Sequence, residues 1–575
     1  MNELKYSEIL RLNNEFESNN KGLYKISLLS NVMVHQGKEI IEYLLRSSGI
    51  NANIELGNYD NIAQERQKKN DATIIFWEVF NIVDGLQYDI ELLTKDEINA
   101  IEYKVKSEIE FVVNNLKNCP IVIINKFTPL MFSYFCVEND RLAYLADMLN
   151  RFLEECIMPN IRLVSLDRII SKLGIDNSFD LRYYYSSKAP YTVSFFKAYA
   201  QYVKPFFMSI NGMSKKALIF DCDNTLWKGI VGEDGVNGIE MSIATKDGAI
   251  FHEVQSIALS LSRQGVIIGL CSKNNLDDVN EILNCHPSMI LRDDCISIKM
   301  INWSDKVKNL RIISEKLNIS LDSIVFIDDS SFEVELIKKQ LPDVTVLQVP
   351  EKLYNFPKLI RENFNLFYML SNTVEDAQKV KSYREQKKRE DIKKEFFTMD
   401  DYLKSLELKI IITINDKLLI SRIAQLTQKT NQFNLNTKRY TEVEIRNMIL
   451  SSKIDIYSLS VKDRFGDSGV TGVCIVNKFE DNTCIINNFL LSCRIIGRNI
   501  EYVFMDYIVN SLAHKGIVGI NSAFTKTMKN AQVEFFFDNC SFSLKSKNEN
   551  EKCYYLSIDK YKKSRIKYIK VVDYE

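Results

Sequence analysis

Apolar residues along this chain gather in short dense runs. Between the runs they recur every three or four positions. Dense runs bounded by turn residues read as buried strands, and the longer recurrence reads as amphipathic helix. Strand-like runs fall at residues 24–29, 72–77, 120–124 and 160–164, with helical patterns such as 38–46 and 95–116 between them. That alternation predicts a parallel, flavodoxin-like sheet. A second set of runs, ending near residues 220, 271 and 327 with a helix near 249–264, predicts another α/β block. A third block begins near residue 408, with strand patterns at 470–476 and 484–491. The fold class is α/β and multidomain.

The charged stretch between the second and third blocks reads as a solvated connecting helix. Thr373-Val374-Glu375-Asp376 has the form of a capping box, and residues 379–396 are rich in Lys, Arg and Glu at helical spacing. The expected boundaries are 1–210, 215–355, a linker over 356–400, and 401–575. A chain of 575 residues is too long for one core, in keeping with that count.

Composition narrows the function classes. Lys+Arg and Asp+Glu nearly cancel, leaving a net charge of −1, so no nucleic-acid partner is expected. The twelve cysteines are scattered without a CxxC pair or a Cys/His cluster at zinc spacing, as in a reduced, cytoplasmic protein. The N-terminal stretch is too polar for a signal peptide, and no apolar run reaches membrane-spanning length. The expectation is a cytoplasmic enzyme with no membrane partner.

The chemistry concentrates where the second block's apolar runs stop. Ala217-Leu218-Ile219-Phe220 ends in Asp221-Cys222-Asp223-Asn224-Thr225. Two carboxylates in one cleft can hold a hard divalent cation, while one attacks phosphorus and the other moves a proton. Further runs end at Cys271-Ser272-Lys273-Asn274 and at Asp328-Asp329, and Asn302-Trp303-Ser304-Asp305-Lys306 lies between them. Open α/β sheets place ligands at the C-terminal ends of their strands, so these residues converge. Magnesium suits such an all-oxygen set.

Asp221-Cys222-Asp223-Asn224-Thr225 resembles motif I of the haloacid-dehalogenase-like (HAD) phosphotransferases. Extended through Trp227, Gly229 and Gly232-Glu233-Asp234-Gly235, it is similar to the FkbH-like subgroup, which loads glyceryl units for polyketide assembly. The resemblance implies a Rossmann-like HAD core without a large cap. It also implies catalytic roles for Asp221, Asp223, Ser272 and Lys306, and Mg2+ held by Asp221, Asp223 and Asp328. Thr225 and Asn274 become substrate-binding positions. The implied activity takes 1,3-bisphosphoglycerate, removes phosphate and passes the glyceryl unit to the phosphopantetheine thiol of an acyl carrier protein. The family mechanism runs through a cysteine thioester. Of Cys222 and Cys271, the latter is preferred, because a bend before Ser272 would turn it inward.

The flanking blocks resemble the other two domains of that subgroup. The first resembles SGNH hydrolases and puts Ser30 at the nucleophile position, but it lacks Gly-Asp-Ser and Asp-x-x-His. Binding or scaffolding is therefore favoured over hydrolysis there. The third resembles a GNAT acyltransferase through residues 426–437, Asp463-Arg464-Phe465-Gly466-Asp467 and Arg494-Ile495-Ile496-Gly497-Arg498-Asn499. Arg494 and Gly497 are its implied binding positions. Asn499 replaces a small residue, and Cys540 replaces the glycine of a late Gly-Phe. A pantetheine-holding or carrier-docking role is favoured over acetyl-CoA chemistry. Two other functions stand beside glyceryl transfer: a HAD phosphomonoesterase or phosphotransferase acting on a small metabolite, and a scaffold with a vestigial site. The basic tail, Lys560 to Lys570, is a candidate contact for an acidic carrier.

Overall fold

The computed structural model describes residues 4–17, 23–62, 70–83, 85–132, 140–370, 389, 392–393, 395–527 and 529–572. The chain forms two compact units. One comprises Met1–Asn211 with Tyr440–Asn447, and the other Gly212–Arg439 with Met448–Glu575.

The first unit is built on five parallel strands: β1 (Tyr24–Ser30), β2 (Ala52–Leu56), β3 (Ala72–Phe76), β4 (Val122–Asn125) and β5 (Ile161–Val164). Their order is β2-β1-β3-β4-β5, the doubly wound flavodoxin order. Ile75, Val122 and Ile124 bury one face against helices Lys95–Asn115 and Arg141–Glu155. Thr94 and Glu97 close the first of these helices with a reciprocal capping box. Helices His35–Arg46 and Val193–Ile210 pack together in this unit, where a Cβ on Gly37 would stand 2.7 Å from the Phe196 ring.

The second unit holds two sheets. The first is all parallel: β6 (Ala217–Phe220), β7 (Ile267–Ser272), β8 (Ile298–Ile301), β9 (Ile324–Asp328) and β10 (Thr345–Gln348), in the order β10-β9-β6-β7-β8. β6, β7 and β9 are buried throughout, which is why they read as continuous apolar runs. Leu218, Phe220 and Cys222 face helix Lys246–Arg263, while Ala217, Ile219 and Cys271 face helices Lys306–Leu317 and Ser331–Gln340. Between Thr225 and β7 the chain makes only the turn Val231–Asp234 and helix Lys246–Arg263, so no large cap interrupts the core.

The expected linker over 356–400 divides. Phe356, Ile360 and Phe367 are buried in the same cluster as Phe251 of helix Lys246–Arg263, so this part belongs to the parallel-sheet layer. Thr373-Val374-Glu375-Asp376 and most of 379–396 lie outside the described residues. Arg389 is described, and it is buried rather than solvated, donating through Nε and Nη2 to Asp463.

The second sheet is mixed. It comprises β11 (Lys409–Ile414), β12 (Phe433–Asn434), β13 (Ile454–Asp463), β14 (Gly466–Lys478), β15 (Thr483–Leu491), β16 (Gly519–Thr525), β17 (Ser543–Lys547), β18 (Glu551–Ser557) and β19 (Lys570–Val572). The order is β17-β18-β16-β15-β14-β13-β11-β19, with β12 beside β15. β15 and β16 run parallel only from Thr483↔Gly519 to Ile486↔Ser522. Beyond that point β12 takes over the edge of β15: Leu435 N donates to Phe489 O, and Thr525 N donates to Leu435 O.

The two sheets of this unit meet at the N-terminal ends of the parallel strands. Lys216, just before β6, donates to Lys429 O at 3.0 Å. Asn318, ahead of β9, donates to Cys493 O at 2.9 Å, and Asp322 pairs with Lys529. Among the described residues, no helix is long and apolar enough to cross a membrane.

Candidate active site

β6 and β9 are neighbours; β9 ends in Asp328 and Asp221 follows the last residue of β6, so parallel pairing brings the two aspartates side by side. Helix Lys306–Leu317 starts beyond the adjoining edge, capped by Asp305, which accepts from Val307 N. Its first residue reaches back between the acids. Lys306 Nζ lies 3.0 Å from Asp221 Oδ1 and 2.7 Å from Asp328 Oδ2, with all three side chains nearly sealed from solvent. Burial opposes charge on Lys306, but the two carboxylates outweigh it and raise its pKa. Burial pushes Asp221 up to about 7, with Lys306 pulling down and Asp328 pushing up. Ser272, at the end of β7, stands against the Asp221 carboxylate and helps hold its pKa down.

Oxygens of Asp221, Asp328 and Asp329 all lie within 4.8 Å of one another. Asp328 Oδ1 accepts from Ser330 N, and burial and then Asp328 push the half-buried Asp329 up. Asp221 Oδ1 faces Lys306 without hydrogen-bond geometry and has no other partner, although it is buried. Three carboxylates against one lysine leave negative charge that a hard cation, bound through oxygens, would neutralise. The donor set fits magnesium.

The set differs from the expected one at a single position. Asp223 was expected among the metal ligands, but its carboxylate is turned to other work. Oδ1 accepts from Trp227 Nε1 at 2.9 Å and Val231 N at 3.2 Å, and Oδ2 accepts from Asn274 Nδ2 at 3.0 Å. The left-handed turn at Asn224 (φ 50°), whose Oδ1 accepts from Gly229 N, carries Asp223 away from the strand direction. Asp329 adds an oxygen to those of Asp221 and Asp328, which the i, i+2 spacing of Asp221 and Asp223 does not signal. Asn274, expected to touch substrate, holds Asp223 instead. Thr225 is fully buried, and its hydroxyl has no partner. Lys273 pairs with Glu333 at 2.6 Å on the rim, and Trp303 stands 76% exposed three residues before Lys306.

Cys271 does not turn inward. β7 continues through it, pairing Cys271 with Met300 and Ser272 with Ile301, so no bend precedes Ser272. Its thiol packs with Ile219, Ile267 and Val307 on the far face, and burial pushes its pKa up. Cys222 is sealed in the opposite core, its pKa also raised by burial.

Arg494 and Gly497 are not brought to this cluster. They precede helix Ile500–His514 of the mixed sheet, next to Cys493, which meets the N-terminal side of β9. Gly497 is exposed in a left-handed conformation (φ 83°). Arg498 is spent on Asp463, and Asn499 donates to Tyr568 Oη. Glu501, in the first turn, is a buried acid whose pKa burial raises.

In the first unit, Ser30 Oγ accepts from Val32 N and is buried, while His35 is exposed at the start of its helix. Asn31 and Glu78 exchange bonds, with Asn31 Nδ2 donating to Glu78 O and Glu78 N donating to Asn31 Oδ1. Asn125 does the same with Trp77. Glu78 is fully buried and accepts from Tyr191 Oη.

No family model matches the chain, and no curated protein matches it. Among solved structures, the chain is similar in fold to the N-terminal part of BF1531 from Bacteroides fragilis, described as containing a phosphatase domain complexed with Mg. The match has 24% identity and a TM-score of 0.56, over 64% of this chain and all of that one. A ribosomal-protein-S18-alanine N-acetyltransferase from Escherichia coli matches 26% of the chain and 94% of its own, at 8% identity and a TM-score of 0.21. PaiA N-acetyltransferase from Thermoplasma acidophilum, solved with coenzyme A, matches 20% of the chain and 72% of its own, at 14% identity and a TM-score of 0.18.

Proposed function

We propose that this chain is a magnesium-dependent phosphate-releasing enzyme. Its fuller reaction converts 1,3-bisphosphoglycerate into a glyceryl thioester on the phosphopantetheine arm of an acyl carrier protein. The observation that carries the phosphate-releasing half is Lys306 held between Asp221 and Asp328, with Ser272 against Asp221. The glyceryl half rests on the resemblance of residues 221–235 to FkbH-like proteins.

Asp221, Asp328 and Asp329 would hold the ion, which when bound offsets phosphoryl charge and keeps Asp221 ionised. An Asp221 oxygen attacks the phosphorus of the monoester, and the bond to the leaving oxygen breaks. Asp223, half-buried with its pKa raised by burial, gives that oxygen its proton. Water then attacks the aspartyl phosphate, returns a proton to Asp223 and frees Asp221 and inorganic phosphate. Lys306 and Ser272 orient and neutralise the phosphoryl oxygens. At the acyl phosphate, a thiolate attacks the carbonyl carbon, a C–S bond forms, and phosphate leaves with the C–O electron pair. With Cys222 and Cys271 sealed in the core, the carrier's own thiol is the attacking group. The described cysteines are all unpaired, in keeping with a reducing, cytoplasmic setting.

The buried cysteines also favour a second reading, a phosphomonoesterase acting on a small metabolite. Incubation with 1,3-bisphosphoglycerate, magnesium and a holo-carrier, followed by intact-protein mass spectrometry, separates the two. A glyceryl adduct on the carrier supports transfer. Phosphate release without an adduct leaves the phosphomonoesterase, and no phosphate release overturns both.

A further inference from the structure

Residues 560–570 carry Lys560, Lys562, Lys563, Arg565, Lys567 and Lys570 and no acid, in a chain of net charge −1. Outside the short turn Ile558–Lys560 and β19, the segment has no regular secondary structure, yet it is firmly held. Tyr561 Oη donates to Asp506 at 2.7 Å, Ser564 N donates to the same carboxylate at 3.0 Å, and Ser564 Oγ donates to it as well. Tyr568 Oη accepts from Asn499 at 2.8 Å, Ile569 is buried, and Lys570 N donates to Leu408 O at 2.9 Å. Asp506 is itself buried on helix Ile500–His514. Near-alternation of the extended chain then turns Tyr561, Ser564, Ile566 and Tyr568 toward the core and all six cations to solvent.

None of the six side chains pairs with a carboxylate among the described residues. Six like charges held on one anchored segment repel one another. A ribbon that stays ordered against that repulsion is preorganised for negative charge.

We infer that this ribbon is the docking surface for the acidic face of a folded protein. The ribbon's aromatic rings, Tyr561 and Tyr568, are committed inward and leave none to stack on a single-stranded base, and the chain's net charge of −1 disfavours a duplex, so the geometry and charge favour a protein. The identity of that partner as the carrier rests on the function proposed above, whereas the surface and its sign do not. The ribbon joins the mixed sheet through β19, and none of its residues is among those that form the carboxylate cluster. Docking and phosphate release are therefore separable.

The test measures binding of an acidic holo-acyl carrier protein, its apo form and a 20-base-pair DNA duplex to the full chain by fluorescence anisotropy at low and high salt. It compares the native chain with the triple variant Lys562→Gln, Lys563→Gln, Arg565→Gln. Both carrier forms should bind the native chain. The variant should lose affinity about tenfold at low salt and less than about twofold near 0.5 M salt, where charges are screened within a few ångströms. Phosphate release from a small phosphomonoester, measured without carrier, should be unchanged in the variant, so its loss would count against the separation and not against the catalytic reading. Carrier binding equal in the two proteins at low salt overturns the proposal. So does duplex binding tighter than carrier binding, or no carrier binding at all.

Discussion

Two five-stranded parallel sheets of this protein end very differently. At the C-terminal edge of β1, β3 and β4, polar groups answer one another: Asn31 with the Glu78 backbone, Asn125 with the Trp77 backbone, Ser30 with Val32 N. At the same edge of β6 and β9, three carboxylates face one lysine, and Asp221 Oδ1 lacks a hydrogen bond. Two parallel sheets thus yield a largely paired polar seam, with Glu78 Oε2 left over, in one case and a cluster of three carboxylates around one lysine in the other. Matched polar groups stabilise a fold, whereas unmatched charge in a sealed place stores free energy that a ligand can release. The difference locates the chemistry better than either motif alone.

The largest expected effect is on the charged edge. Asp221→Asn keeps shape and removes the nucleophile, so phosphate release should fall by about a thousandfold or more, with circular dichroism unchanged. Full release in that variant would dissolve the contrast between the edges. Lys306→Met leaves Asp221 and Asp328 buried without their cation, and should cost roughly 3–5 kcal/mol in urea denaturation. Magnesium should recover part of that loss in thermal melts, and a melt unchanged by magnesium would argue against an ion at this cluster.

The closed edge should respond in stability alone. Asn125→Ala orphans the buried Trp77 N–H and should cost about 1–3 kcal/mol, with phosphate release per folded molecule unaltered. Glu78 adds a pH dependence: burial raises its pKa well above the usual range, against the Tyr191 hydrogen bond. A raised carboxyl pKa favours folding fully at acid pH, and this stability is lost as pH climbs from the unfolded value toward the folded one. The slope is at most about 1.4 kcal/mol per pH unit, and Glu78→Gln should flatten it in denaturant midpoints measured across pH. Ser30→Ala should change least, by about 1 kcal/mol or less, with no effect on phosphate release. A loss of activity there would make the closed edge catalytic after all.

The interior strands were legible because strands buried on both faces are apolar throughout, as in β3, β4, β6 and β9. Of the edge strands, β5 was read as the run at 160–164, but β2 and β8 were not. Ala52-Asn53-Ile54-Glu55-Leu56 and Ile298-Lys299-Met300-Ile301 mix polar with apolar residues because one flank is uncovered. Asp221, Ser272, Lys306 and Asp328 were legible as residues that follow apolar runs. The direction of a carboxylate was not, since Asp223 is claimed by Trp227 four residues on and by Asn274, 51 residues away. Cys271 failed for a related reason: whether a strand bends before its last residue depends on its neighbour, and β8 keeps β7 extended through Ser272.

Trp303 has a consequence of its own. The chain has three tryptophans, and Trp77 and Trp227 are buried, at 5% and 0% exposure, while Trp303 is 76% exposed. Buried indoles emit toward the blue and resist collisional quenchers, whereas an exposed one emits toward the red and is quenched readily. The red, acrylamide-sensitive part of the intrinsic fluorescence therefore comes from a residue three positions from Lys306. The protein carries its own optical reporter three positions before Lys306, and whatever covers Trp303 dims the quenching without any label.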